Sequence, residues 1–563
     1  MAKDAVAELR LGPFINGINT YSDASAIADD ELVDCTNFDI DLDGSLKSRA
    51  PWRLLLNRTT TVNVSATNFS CSQTLLNTFV YEKVRFIVYS TEAETAPGSF
   101  VAKIYWVDGV NAGTTATIVS GDFTRCIRYY NNLYLVPNIN TTHGGYKYAL
   151  DTGVVTSIPN MPRGYSCEVY KDRLWIGGRR NDDYNSRIFC SDLGNFDSWP
   201  SSNFFDINVG DGDAVQELKV YNDNLMIFKD SATYVLTYDT QITGTVVQQI
   251  NDAIGVQGPR TIVAYENSIF LMMHNQIYEM SNYAFSKVST KIPILYDASL
   301  EAAPYNPPNQ WWKWPVCLSL VGDRLYARFY NKLYTYHLRT RSWTRFTSND
   351  VNIDNLGPIL ELDSTNTSGS TRGWKTFVAM TALRANVDAQ GPGTTGAYKL
   401  YDKIFIMDDR YENTYRENGN IVSNNVDIPL SIKTKIYDVG LPHRFKRLMH
   451  WGVDCITGRD VTGTLLPFSV SYKVTWEQLH LYRWSQLNTW NFPLFEAPST
   501  IQTQPIGSTS YRRFIRFPKS LRFRLLQLQV DMVTSGNTVD GPARLYTVTA
   551  FVSQKQLVAK AVN

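Results

Sequence analysis

A short pattern recurs along the middle of this chain: an aromatic residue, two or three polar residues, then apolar–x–apolar. It reads YEKVRF from Tyr81, YNNLYLV from Tyr130, YKDRLWI from Tyr170, YNDNLMI from Tyr221, YENSIFL from Tyr265 and YDKIFIM from Tyr401. A variant, VGDRLYARF, starts at Val321. The first apolar positions after the polar turn are Val84, Leu133, Leu174, Leu225, Ile269, Leu325 and Ile404, spaced 41 to 56 residues apart except for a last interval of 79. Short apolar stretches precede most copies, such as Leu218–Val220 before Tyr221, so each copy reads as a hairpin with a polar turn. Further strands follow, among them AKIYWVDG from Ala102, YKYALDTG from Tyr146, ATYVLTYD from Ala232 and NKLYTYHLRTRSW from Asn331. Three or four short strands in each unit of about 40 to 50 residues is the period of a β-propeller blade. One such unit cannot bury both of its faces, so the units must pack around an axis, with residues such as Leu225 and Ile227 between blades. Five to seven blades fit between positions 70 and 415, with ELDSTNTSGSTRG (Glu361 to Gly373) and GPGTTG (Gly391 to Gly396) as surface insertions. The competing reading is a generic all-β protein whose hairpins look alike by chance.

Both ends differ from the repeats. After Asp427 the strands lengthen and alternate. PLSIKTKIY puts Leu430, Ile432 and Ile436 on one side and Ser431, Lys433 and Lys435 on the other, and FSVSYKVTW repeats the pattern from Phe468. LRFRLLQLQVDM alternates through Leu521, Phe523 and Leu525, then slips to Leu526, Leu528 and Val530, which suggests a β-bulge. At the N-terminus, GPFINGINTY reads as extended. AIADDELVDCTNF reads as a short helix led by Asp29, Asp30 and Glu31, and NFDIDLDGSLKSR as a hairpin turning at Asp43-Gly44. The expected fold is therefore all-β: a β-propeller over 61–420, an N-terminal extended arm over 1–60 and a C-terminal β-sandwich over 421–563. The arm is too short to fold alone, so it should add a strand to a neighbouring domain or subunit. Leu11, Phe14, Ile15, Ile18 and Asn19 are its candidate assembly residues.

Composition narrows the function. With 54 Lys+Arg against 53 Asp+Glu, the chain carries no overall bias toward nucleic acid, anionic membrane or cationic substrate. Aromatics at 13% and charged residues at 19% suit a strand-rich protein with surface buried against partners. Seven widely spaced cysteines without a CxxC read as buried thiols of a protein made in a reducing cytosol. No apolar run is long enough to span a membrane, and MAKDAVAELRLG has no apolar signal core.

Several motifs touch on chemistry. DIDLDGSLKSRA has the start of a calcium loop in Asp39, Asp41, Asp43 and Gly44, but Ala50 stands where a bidentate Glu is needed, so a tight Asp-Gly turn is the better account. SDLGNFDSW, Ser191 to Trp199, is a faint version of a sialidase Asp-box turn with Asp and Trp displaced. The six histidines form no metal-binding spacing, and nucleophile-elbow and phosphate-loop motifs are missing. Catalytic residues, cofactors and metals are accordingly expected to be none. YRRFIRFPKSLRFR gathers Arg512, Arg513, Arg516, Arg522 and Arg524 among phenylalanines, a possible basic surface, although paired strands with Arg outward are the commoner account. Trp311, Trp312 and Trp314 in WWKWP are a candidate contact for a glycan or protein partner, against the commoner fate of packing between blades.

LGPFINGINTYSDASAIADDELVDCTNFDIDLDGSLKSR resembles the opening of tailed-bacteriophage virion proteins of the minor-tail or tail-tip kind. The resemblance rests on Gly17-Ile18-Asn19-Thr20, on Asn37-Phe38-Asp39, and on Asp41-Leu42-Asp43-Gly44 followed by Leu46 and Arg49. Where that family has a doubled glycine, this chain has Asn16-Gly17. RIFCSDLGNFDSW with VGDGDAVQELKVYNDNLMIFKDSATYVL is similar to the propellers of these proteins and of short-tail nozzle proteins, and SIKTKIYDVGLPHRFKRLMHWGVD to their C-terminal domain. The resemblance implies a non-enzymatic structural protein of the phage tail, located in the virion and made in the host bacterial cytoplasm. It would assemble with itself as a hexameric or trimeric ring around the tail axis, contact other tail proteins, and meet genome DNA in passing. A propeller module binding a host-surface glycan or protein is the alternative, and a glycan hydrolase a more distant one.

Overall fold

The computed structural model describes residues 6–554 except 51, 65–73, 82–83, 94–95, 108–114, 139–142, 179–183, 239–243, 257, 259, 274–275, 293–315, 330–331, 348–358, 364–374, 387–395, 408–415, 418–425, 438–445, 457–467, 476–498, 502–511, 516–520, 524 and 535–543. The fold is all-β and of the propeller type. Among the described residues there are six separate four-stranded sheets, and four further strands begin a larger one. In chain order the units start with the strands Thr74–Tyr81, Phe123–Tyr129, Ser166–Tyr170, Val215–Tyr221, Ile262–Tyr265, Val316–Val321 and Leu360–Asp363. Each first strand lies beside the next, and Leu360–Asp363 lies beside Thr74–Tyr81, so the ring closes with these strands innermost. We number the blades one to seven in that order.

The repeated hairpin is the first and second strand of each of blades one to six. In blade four, Val215–Tyr221 pairs with Asn224–Lys229 across Asn222 and Asp223, both with positive φ (47° and 58°), as a two-residue hairpin turn of the right twist demands. Successive residues of the second strand point to opposite neighbours. Leu225 and Ile227 pack with Trp175 and Ile188 of blade three, while Met226 and Phe228 pack with Ile269 and Leu271 of blade five. Both faces of the strand are buried, so its apolar run is continuous.

The match at Tyr401 is not a hairpin. Tyr401 lies inside the strand Gly396–Met407, the third of blade seven. The fourth strand of that blade is Trp52–Val64, from the other end of the propeller sequence, which closes the ring. An arm boundary at 60 would cut this strand; the propeller begins at Trp52. The two insertions fall mostly outside the described residues.

The arm and the C-terminal region form two sheets with one apolar core. The first joins Lys446–Ile456, Arg544–Gln554, Arg512–Ile515 and Leu521–Phe523 to three arm strands, Val6–Leu11, Phe38–Ile40 and Leu46–Ser48. The second continues blade six. Its outer strand Ser342–Phe346 is followed by Gly17–Ile18 and Glu31–Thr36 of the arm, then Val426–Thr434, Leu525–Thr534, Phe468–Thr475 and Ser499–Ile501. Leu11, Leu46, Val548 and Val552 of one sheet share a buried cluster with Leu32, Leu430, Ile432 and Leu528 of the other.

Three local expectations change here. The expected helix over AIADDELVDCTNF is the strand Glu31–Thr36; its pairing with Val426–Thr434 and its buried Leu32 and Cys35 override a weak local helix preference. The slip in LRFRLLQLQVDM is a change of sheet rather than a bulge: Leu521–Phe523 pairs in the first sheet and Leu525–Thr534 in the second, so the alternation restarts. Leu430 and Ile432 are buried as the alternation requires, but the strand ends at Thr434, and beyond it Tyr437 is buried while Ile436 is half-buried.

Candidate functional site

Two polar constructions stand out, one where three parts of the chain meet and one at the propeller axis. The first is centred on Asn37, which is fully buried with φ at 62°. Asn is among the few side chains that accept this left-handed conformation readily. Its Nδ2 donates to Thr347 Oγ1 (3.0 Å), after blade six, and to Pro429 O (2.6 Å) in the C-terminal strand. Its Oδ1 accepts from Thr347 N–H (2.8 Å) and from Arg49 Nε (2.8 Å). Arg49, also fully buried, donates further to Thr347 O (2.7 Å) and Ala50 O (3.0 Å) and lies over the Phe346 ring. One amide and one guanidinium thus tie the arm to the propeller and the C-terminal sheet.

The surroundings reinforce this joint. Gly17 has φ at 62°, and a Cβ there would stand 2.4 Å from Trp343 O, so only glycine lets the arm lie against blade six. Asn19 donates to Glu31 (2.8 Å), which also meets Lys291 of the propeller at 2.9 Å. Burial alone would raise the Glu31 carboxyl, but Lys291 and the Ala28 and Asn19 donors together hold it below its ordinary value. Arg345 reaches Asp34 at 2.9 Å, and Asp39 faces Arg324 (3.3 Å) and His337 (3.8 Å). Burial pushes the His337 imidazole down to about 4, against the pull of Asp39. The Asp-rich turn is a tight one: Asp41 Oδ1 accepts from Leu42 N–H and Asp43 Oδ1 from Ser45 N–H, and Asp39 is turned to the propeller.

The second construction is a polar ring. Counting four residues back from the end of each first strand gives Asn77, Arg125, Ser166, Glu217, Thr261 and Cys317, none of them a large apolar side chain. In blades one, two and four the pairing shifts just before this residue, a bulge that re-aims it. Hydrogen bonds then run from blade to blade. Asn77 donates to Cys126 O (2.9 Å), Arg125 Nε to Tyr165 O (3.2 Å), and Ser166 Oγ to Glu217 Oε1 (2.5 Å). Arg260 N–H donates to Glu217 Oε2 (2.7 Å), Leu318 N–H to Arg260 O (3.0 Å), and Ile359 N–H to Ser319 Oγ (3.0 Å). Two side chains also cross the centre. Arg125 of blade two pairs with Glu217 of blade four at 2.7 Å, and Arg260, before blade five, donates to Thr124 O of blade two at 2.8 Å.

No family model and no curated protein matches the sequence. Solved structures resemble it only distantly. The CNH domain of AfRom2 has a TM-score of 0.34 at 11% identity, covering 62% of this chain and 99% of that one. The Pan2 WD40 domain of Neurospora crassa has 0.34 at 9%, covering 63% and 96%. An acylaminoacyl peptidase of Pyrococcus horikoshii has 0.33 at 9%, covering 66% of this chain and 59% of that one. These are likenesses of fold.

The arm residues named from sequence lie within the molecule. Leu11, Phe14, Ile18 and Asn19 are buried, Ile15 is half-buried, and the first three join the core shared by the two sheets. Trp311, Trp312 and Trp314 lie outside the described residues. Of the basic run, Arg512 and Arg513 stand opposite Asp454 and Val453, and Arg522 opposite Arg447, while Arg516 and Arg524 lie outside the described residues. SDLGNFDSW connects the third and fourth strands of blade three; Asp192 accepts from Ser198 and Asn203, and Trp199 Nε1 donates to Phe196 O. Cys35, Cys126, Cys167, Cys190 and Cys317 are buried free thiols. Among the described residues no group of three or more His, Cys, Asp or Glu is placed to hold a metal, and no helix is long and apolar enough to cross a membrane.

The polar ring was missed in the sequence because its members differ in type. The signal was available: aligned on the end of the first strand, one inward position is polar in blade after blade.

Proposed function

We propose that this protein is a structural component of a bacteriophage tail, at the tail tip or nozzle, acting by assembly and not by catalysis. The observation that carries the proposal is the identity of the residues at the joint. The positions on which the arm resembles tail proteins include Gly17, Asn19, Asn37, Asp39, Gly44, Leu46 and Arg49. These same positions place the arm between propeller and C-terminal sheets. A sequence signature that serves to fix two rigid modules in one orientation suits a part whose task is geometry. The side chains crossing the propeller centre bear on how DNA would be accommodated. A genome leaving through such an assembly would pass an opening between subunits and not the propeller's own axis. A ring of copies, hexameric or trimeric, supplies that opening.

Purified virions provide the test. The protein should be present at a fixed small copy number, and antibody labelling should mark the distal tail. Its absence from virions, together with a strictly monomeric state across concentration, would reject the proposal.

A further inference from the structure

We infer that the propeller centre is a binding site for a small oxyanion, a phosphate or carboxylate group, held by Arg125 and Arg260. The inference begins with the donors and acceptors at the axis. Glu217 is the carboxylate between the two arginines, and its acceptors are engaged: Oε1 by Ser166, and Oε2 by both Arg125 Nη2 and the Arg260 N–H. The other acidic group beside it, Glu168, is paired with Lys219 at 3.1 Å. Of these described side chains, three are cationic (Arg125, Arg260 and Lys219) and two are carboxylates (Glu217 and Glu168), an excess of one positive charge within this group.

That excess sits on well-positioned groups. A guanidinium carries five N–H donors in a fixed fork. Arg260, 9% exposed, gives one side-chain bond, from Nη2 to Thr124 O. Its Nε and Nη1 meet no acceptor among the described residues. Arg125 spends Nε on Tyr165 O and Nη2 on Glu217, leaving Nη1. Neither arginine has a fully enclosed donor without a partner, so these N–H groups remain able to bond an acceptor that arrives from solvent. An anion placed between the two forks would satisfy them and neutralise the excess together.

Two further features belong to a binding place more than to a packed core. Arg260 has φ at 64°, an uncommon conformation for a long side chain, held by Glu217 on its N–H and by Leu318 on its carbonyl. The site also keeps contact with solvent: the Arg125 side chain is 22% exposed. Burial, and next the like charge of Arg125, push the Arg260 guanidinium down to about 9, the direction a bound anion would reverse.

The full-length protein, exchanged into chloride at constant ionic strength, would be titrated with inorganic phosphate and separately with acetate, followed by calorimetry and thermal unfolding. Saturable binding of either anion, near one per chain, is expected. Arg125→Gln should weaken it about tenfold, the loss of one charge-assisted pair. The surface change Lys287→Gln should leave it unaltered. If Arg125→Gln does not fold, Glu217→Gln supplies the reverse test. It keeps an acceptor for the Arg260 N–H while removing the competing charge, so binding should tighten. Absence of saturation with both anions would overturn the inference. So would equal affinity in Arg125→Gln, or unchanged or weaker affinity in Glu217→Gln.

Discussion

The propeller and the arm-built joint solve the same problem, holding sheets in fixed relation, with opposite kinds of contact. Blade-to-blade packing is local and repeated. The Tyr at the end of one first strand reaches the turn of the next hairpin: Tyr129 to Asp172 (3.2 Å), Tyr170 to Asp223 O (2.9 Å) and Tyr221 to Asn267 O (2.8 Å). Each is one bond in a series, and its loss is shared around the ring. The joint has no repetition. Asn37 and Arg49 bind residues about 300 or more positions away, and each bond has no counterpart elsewhere. Repetition tolerates damage; a single buried node does not.

This contrast can be broken or sharpened experimentally. Arg49→Met should have the largest effect, ~4 kcal/mol, because it leaves Asn37 Oδ1, Thr347 O and Ala50 O each short of a buried donor. Urea unfolding would measure it, and limited proteolysis should then release the C-terminal region while the propeller stays resistant. Gly17→Ala should cost ~3 kcal/mol, since the added carbon meets the Trp343 backbone and the backbone conformation is itself unfavourable; a loss within 0.5 kcal/mol, the size of a neutral surface change, would show that the arm is not clamped there.

A pH series probes the same joint. His337 is held neutral by burial, with its pKa lowered from 6.5 to about 4. The unfolded chain takes up the proton first on acidification. The stability this contributes is complete above pH 6.5 and is lost as pH falls toward 4, by at most ~3 kcal/mol. The slope between pH 6.5 and 4.5 should flatten in His337→Gln; an unchanged slope would place the titration elsewhere. The smallest effect belongs to the repeated contact. Tyr170→Phe should cost ~1 kcal/mol and leave proteolysis of the joint unaltered. A larger loss there than at Arg49 would reverse the comparison.

The same contrast explains what could be read from the sequence. A hairpin whose strands and turn lie within 20 residues announces itself, because its periodicity and turn residues are contiguous. Six of the seven pattern matches are such hairpins. At Tyr401 the pattern arose within one long strand, where an alternating stretch followed Asp402 and Lys403 by composition alone. In blade two the aromatic that bridges to the next turn is Tyr129, one residue before the position the pattern marked, and Tyr130 is exposed. The arm was recognisable as extended, but its partners are hundreds of residues distant. Nothing near AIADDELV states that a C-terminal strand will convert it from a plausible helix into the strand Glu31–Thr36. The axial arginines were hidden for a different reason: Arg125 and Arg260 fall at different distances from their strand ends and meet only through ring closure.

Closing blade seven with Trp52–Val64 also sets an order of events during synthesis. That strand leaves the ribosome before any blade exists, and its partner Gly396–Met407 follows more than 300 residues later. Val6–Leu11 waits longer still, for the strand Arg544–Gln554. Blades one to six can form hairpin by hairpin as they emerge, each from contiguous chain. The N-terminal strands meanwhile keep unpaired edges throughout translation, the part of the nascent protein most open to wrong pairing. Folding of the ring and of the first sheet therefore finishes at strands made before any blade.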